Sequence, residues 1–163
     1  MTLGETGDHN LPVIISGEKE TLLAFLGYLR ASILRKLDGV SEQDARRRIV
    51  ASDTTLLGVV NHLAFVEVYW SQRRLAGAEV ALQGDGFELE PTDTIESVCH
   101  RYEEAGRRTD ALVAATADLD QRLARGRHGL TVRWMLAHLV EETARHAGHL
   151  DILREIVDGA AGR

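Results

Sequence analysis

The chain has 163 residues, of which 44% are hydrophobic and 27% are charged, and its formal net charge is −6. This composition is typical of one folded globular domain and argues against disorder. The negative charge and the lack of a long basic run argue against nucleic-acid binding. A single cysteine, Cys99, excludes an internal disulfide bond and a multi-cysteine metal site.

Targeting signals are missing from the sequence pattern. No apolar run approaches the roughly 18 residues that a membrane span requires, and the N-terminus lacks the basic-then-apolar layout of a secretion signal. We therefore predict a cytoplasmic protein without a membrane partner.

The first predicted helix covers residues 18–37, where apolar residues recur at helical spacing. Ser16 lies near its N-cap, and the dipeptide Asp38-Gly39 ends it. A short helical turn is predicted after Ser41.

The second predicted helix begins near Asp53 or Thr54, either of which can cap it, and runs to about Ala76. Residues 77–91 contain three glycines and a proline and are predicted to form a loop. This loop and the segment 38–53 are longer than antiparallel neighbours require. Either could carry a bundle crossover or a lid over a site.

The third predicted helix begins at Thr92 or Thr94 and runs to about Ala117, and a polar loop over 118–130 follows. The fourth covers 131–157. Four long helices without a convincing strand predict an all-α fold, a four-helix bundle.

The bundle is predicted to occupy residues 18–159. An N-terminal extension, 1–17, precedes it, and a short C-terminal tail, 160–163, follows it.

The last helix carries the most informative pattern. Glu142 and His146 are four residues apart, so their side chains lie about 40° apart on the same side of the helix. His146 falls within the apolar sector and Glu142 at its edge. A carboxylate and an imidazole that point inward need a partner, and a divalent metal ion would satisfy both.

His62 lies at the edge of the apolar stripe of the second helix. Taken alone, it is more readily interpreted as a histidine at the edge of the core. Together with Glu142 and His146 it completes a set of two nitrogens and one oxygen on two helices that could face each other. Such a set with open positions suits a catalytic zinc or a similar divalent metal.

The other candidate residues are weaker. His149 is interpreted as a neighbour that supports the metal ligands or faces the substrate, and it ranks above His138. Arg145 and Tyr69 could also orient a substrate. Cys99 is interpreted as a small core residue, because a lone thiol among apolar neighbours is more often structural than nucleophilic.

Two segments resemble the DinB/YfiT-like superfamily of metalloenzymes, in particular its actinobacterial branch, which is similar to mycothiol-dependent maleylpyruvate isomerase. They are LLGVVNHLAFVEVYW at 56–70 and TVRWMLAHLVEETARHAGHLDILREIVDG at 131–159. The stretch FELEPTDTIESVCHRYEEA at 87–105 also fits, so the resemblance covers most of 18–159.

By this resemblance, His62 matches the metal histidine of the second helix and His146 the histidine of the last helix. Glu142 stands where many members have a histidine and where the isomerase-like members have a glutamate. The resemblance therefore implies the same triad that the helical positions favour: His62, Glu142 and His146.

The resemblance implies a divalent metal, with zinc favoured and nickel as the alternative. It also implies a low-molecular-weight thiol such as mycothiol as cosubstrate and a homodimer. The expected function is that of a thiol-dependent S-transferase or isomerase acting on a small electrophile. Two alternatives stay open: a non-catalytic, stress-related metal-binding module, and a metal-free structural dimer in which Glu142 and His146 pair with Arg30 or Arg35.

Overall fold

The computed structural model describes residues 11–12, 17–52, 54–126 and 129–160. The helices are α1 (Glu18–Arg35), α2 (Glu42–Ala45), α3 (Leu56–Glu67), α4 (Ile95–Ala114) and α5 (Val132–Asp158), and α3 continues as a π-helix over Val68–Leu75. The all-α prediction is confirmed: within the described residues, extended pairing is limited to one isolated bridge between Arg122 and Thr131. Ser16, Asp53 and nearly all of both predicted terminal segments lie outside the described residues.

Threonine hydroxyls cap the N-termini of three of the long helices. Thr55, Thr94 and Thr131 each accept a hydrogen bond from the backbone N–H three residues further on, which satisfies one of the free donors of the first turn. The predicted starts of the third helix at Thr94, one of two alternatives, and of the fourth at Thr131 are confirmed. Thr54 is not the cap of α3, because its hydroxyl lies 3.0 Å from that of Ser52 and Thr55 takes the capping position instead.

The second half of the predicted second helix departs from α geometry. The amide of Ala76 bonds to the carbonyl of Ser71, five residues back, at 3.0 Å. The Ser71 hydroxyl in turn donates to the carbonyl of Glu67 at 2.7 Å, where the widened turns begin. The predicted helix therefore reaches its predicted end, but as a π-helix over Val68–Leu75, which apolar spacing does not distinguish from an α-helix.

Helix α3 packs against α4 and α5, and α1 packs against α5 and, less extensively, α4. Two hydrophobic clusters fill the bundle. One contains Ile33, Leu57, Leu63, Val98 and Leu150, and the other contains Leu26, Val66, Val113, Met135 and Leu139.

A buried ionic layer joins three helices between the two clusters. The Glu67 carboxylate is 2% exposed; it accepts from Arg30 Nε at 2.7 Å and from the Thr109 hydroxyl at 2.6 Å. Arg30 also bonds to Asp110 at 2.8 Å. Gly106 gives the guanidinium room, because a Cβ there would lie 3.1 Å from Arg30 Nε. Arg30 thus pairs with Glu67 and Asp110 and not with Glu142. This contradicts the pairing with Arg30 that was one form of the metal-free alternative.

No helix among the described residues is both long and apolar enough to cross a membrane.

Replacing Glu67 by leucine leaves the Arg30 guanidinium buried beside only the half-exposed Asp110. We expect the free energy of unfolding in urea to fall by about 3 kcal/mol, because removing one partner of a buried ion pair strands the other charge. The matched control is Glu104→Ala, which removes two exposed ion pairs and should cost less than about 1 kcal/mol. Equal effects of the two substitutions would contradict the assignment.

Candidate metal centre

Three side chains from α3 and α5 converge on one point. Nε2 of His62 lies 3.4 Å and Nε2 of His146 lies 3.2 Å from the same oxygen, Oε1 of Glu142. The nearest potential ligand atoms of all three residues lie within 4.8 Å of one another. The side chains are 12%, 8% and 13% exposed for His62, His146 and Glu142, so the point is nearly buried but reachable from the surface.

The hydrogen bonding of His62 fixes which ring nitrogen faces the cluster. Its Nδ1 lies 2.6 Å from the carbonyl oxygen of Asp85. A carbonyl can only accept, so Nδ1 carries the proton, and in the neutral ring Nε2 presents a lone pair to Glu142. Two lone pairs 3.4 Å apart repel each other unless a proton or a metal cation lies between them.

The Glu142 carboxylate is held with one oxygen toward the histidines. Arg145 Nη1 donates to Oε2 at 3.0 Å, which leaves Oε1 for His62 and His146. Burial pushes the pKa of Glu142 upward, but the contact with His62 and the electrostatic attraction of His146 and Arg145 outweigh it and hold this pKa below its usual value. Glu142 is therefore an anion at neutral pH.

His146 is buried and its pKa is lowered. Desolvation by burial is the main cause and the electrostatic effect of the neighbouring His62 ring adds to it, against the opposing attraction of Glu142. A neutral imidazole with a free ring nitrogen is the form that binds metals. The other ring nitrogen of His146, Nδ1, lies 3.4 Å from Nδ1 of His149. The His149 nitrogen can accept a hydrogen bond from it.

Two of the three donor-atom separations have the length that a small divalent ion requires. Two donors about 2.1 Å from one tetrahedrally coordinated zinc ion are about 3.4 Å apart. The two nitrogen–oxygen separations, 3.4 and 3.2 Å, match that edge. Two neutral nitrogens and one carboxylate oxygen are also a donor set suited to zinc or nickel. The residues present therefore fit a divalent metal with one or more open positions.

The loop between α3 and α4 covers one side of the cluster. The Phe87 ring stacks on the His62 ring, with centroids 4.1 Å apart and planes inclined by 13°. The Asn61 amide holds this loop by donating to the carbonyls of Gly86 at 2.8 Å and Glu88 at 3.1 Å. Of the two roles expected for the segment 77–91, the packing fits a lid.

Two glycines allow this close approach. A Cβ at Gly58 would lie 2.9 Å from the carbonyl oxygen of Phe87, and a Cβ at Gly86 would lie 2.6 Å from Cβ of Phe65. Gly86 also has a φ of +85°, which favours glycine. The loop therefore rests directly on the α3 backbone.

The other candidates lie at the margin or elsewhere. His138 lies against the rings of Trp70 and Trp134, at centroid distances of 5.0 and 5.1 Å. Its Nδ1 is 3.8 Å from Glu141, so with Glu142 it forms a second, more exposed group of potential ligands. Burial, with nearby negative charges, raises the pKa of the Cys99 thiol to about 11, which disfavours a nucleophilic role.

Sequence reasoning did not identify the partners of the triad that lie in the loop, Asp85 and Phe87, or the anchoring Asn61. The only signal was the length of the loop and its three glycines. Tyr69 does not reach the cluster through a hydrogen bond; its hydroxyl accepts from Arg74 at 3.0 Å.

The family model described as mycothiol S-transferase matches residues 21–159. The chain belongs to the mycothiol S-transferase family. This confirms the resemblance to the DinB/YfiT-like superfamily and the expectation of a mycothiol-related protein. A search of curated proteins gave no match.

If the loop fixes the His62 tautomer, Gly86→Ala should weaken metal binding. The added Cβ meets Phe65 and displaces the Asp85 carbonyl from Nδ1, and loss of such an outer partner costs roughly 10- to 100-fold in metal affinity. Gly84→Ala is the matched control, because Gly84 also has positive φ, at +60°, but no atom within 4 Å of a new Cβ. Competition titration with a zinc-binding dye measures both. Equal affinities in the two variants would exclude this role for the loop.

Proposed function

We propose that His62, Glu142 and His146 bind one divalent metal ion, zinc rather than nickel, and that the chain transfers a low-molecular-weight thiol such as mycothiol to a small electrophile. The observation that carries the proposal is the convergence of two imidazole nitrogens on one carboxylate oxygen, with the proton of His62 held on the opposite side of its ring. Membership of the mycothiol S-transferase family supports the identity of the thiol.

A bound divalent cation supplies Lewis acidity, which lowers the pKa of a thiol at an open position and favours the thiolate near neutral pH. The chain's own residues supply the frame for this chemistry. The Asp85 carbonyl orients His62, Arg145 orients Glu142, and Phe87 shields one face of His62 from water. No protein nucleophile is required, in keeping with the raised pKa of Cys99.

The proposed reaction is substitution or addition at an electrophilic carbon. The thiol sulfur forms the new bond to carbon, any leaving group departs with its electron pair, and the thiol proton passes to solvent. His149 is exposed and lies beside His146. The contact of His149 with Nδ1 of His146 supports a role in positioning His146, and the exposure of His149 supports contact with substrate.

Two other functions make different predictions. A non-catalytic metal-binding module would bind the ion without consuming thiol, and a metal-free structural dimer would do neither. Arg30 pairs with Glu67 and Asp110, which counts against a metal-free dimer in which Glu142 and His146 pair with Arg30. The homodimer implied by the resemblance stays a prediction.

The test is the rate at which zinc-loaded protein couples mycothiol to monobromobimane, whose bromide leaves as the sulfur–carbon bond forms. We expect His146→Ala to lower kcat/KM by at least roughly 100-fold, as for loss of transition-state stabilisation of several kcal/mol. His138→Ala, on the same helix, is the matched control and should change it less than about threefold. Zinc-loaded wild type that is no faster than the uncatalysed reaction would refute the transferase and leave the metal-binding module.

A further inference from the structure

Two neighbouring cavities lie beside the triad and share a wall. The larger has a volume of about 670 Å³ and the smaller about 230 Å³. Both are bounded by Ser52 and Thr54, whose hydroxyls are 3.0 Å apart. The two cavities are therefore neighbours, and the Ser52 and Thr54 hydroxyls lie between them.

Each cavity reaches the triad through one intermediate side chain. The larger is lined by Phe87, whose ring stacks on His62. The smaller is lined by His149, whose Nδ1 lies 3.4 Å from Nδ1 of His146. A molecule in the smaller cavity would therefore contact His149, which in turn contacts the proposed metal ligand His146.

The two cavities differ in chemistry. The larger is lined by charges of both signs, from Arg46, Arg48, Asp85 and Glu88. The smaller has no charged lining residue other than the titratable His149, and its apolar wall consists of Val50, Ile152 and Leu153. A polar, hydroxyl-bearing cosubstrate suits the first, and a mainly apolar group suits the second.

We propose that the smaller cavity, between Val50, Ile152 and Leu153, binds the apolar substituent of the electrophile and so selects substrates with a short aliphatic chain or a single ring. This rests on the proposed function for the reaction that follows binding. Ile152 is 60% exposed, so a bound apolar group would cover surface that otherwise faces water.

The volume of the cavity sets the size of the group. An apolar protein cavity of about 150 Å³ is large enough to hold benzene. A cavity of about 230 Å³ therefore accepts a phenyl ring or a chain of a few methylenes. The cavity is open to solvent, so the preference falls off gradually with length.

A series of N-alkyl chloroacetamides tests the proposal, because chain length changes while the reacting carbon does not. In each, the thiol sulfur bonds to the methylene carbon, chloride leaves with the electron pair, and the thiol proton passes to solvent. Each methylene that is fully buried should raise kcat/KM by up to roughly fourfold. We therefore expect the wild-type ratio of kcat/KM for N-butyl to N-methyl to be roughly tenfold or more.

Ile152→Ala should lower this ratio by roughly threefold or more, since it removes one apolar wall. Ile156→Ala is the matched control: Ile156 is also an exposed isoleucine of α5, 53% exposed, but does not line the cavity. It should leave the ratio unchanged. A wild-type ratio near one would overturn the proposal. So would a ratio that Trp134→Ala abolishes and Ile152→Ala leaves unchanged.

Binding without turnover separates this proposal from the proposed function. The unreactive N-butylacetamide is titrated into protein labelled at the isoleucine δ1 methyl groups and followed by NMR. We expect the Ile152 resonance to shift with saturation and the Ile156 resonance to stay in place. That shift without any thiol consumption would refute the transferase but support the cavity, whereas thiol consumption without the shift would refute the cavity alone.

Discussion

One carboxylate oxygen, Oε1 of Glu142, is the atom on which the site depends. Two imidazole nitrogens face it at 3.4 and 3.2 Å. The backbone carbonyl of Asp85 keeps the His62 proton on the far side of the ring, and burial keeps His146 neutral by lowering its pKa. Electron-rich atoms in this arrangement need a cation among them. The proposed metal and the proposed thiol chemistry both follow from this electrostatic constraint.

The bundle explains how α3 and α5 can hold these atoms at fixed separations. Above and below the middle of the bundle, apolar clusters pack the helices together. Between the clusters the Arg30, Glu67 and Thr109 side chains connect α1, α3 and α4 through hydrogen bonds of 2.6 to 2.7 Å. Such a layer has a low free energy only in one register, because a shifted helix would leave Glu67 buried without partners. The layer thus positions α3, which carries His62.

The sequence indicates the helices and the triad, but not the surroundings of the triad. Helical spacing alone puts Glu142 and His146 on one side of α5, because the 100° turn per residue is a local property. By contrast, the Phe87 stack and the Asp85 hydrogen bond depend on how a glycine-containing loop rests on Gly58, which is a tertiary contact. The π-helix after α3 was missed for a related reason, since apolar periodicity does not report the hydrogen-bond register of the backbone.

The most direct test is a crystal structure of the zinc-loaded protein with anomalous diffraction data at the zinc absorption edge. We expect one strong peak about 2.0 to 2.2 Å from each of three atoms: Nε2 of His62, Oε1 of Glu142 and Nε2 of His146. His62→Ala crystals should lack the peak. A peak beside His138 and Glu141, or none in zinc-loaded wild type, would contradict the central claim.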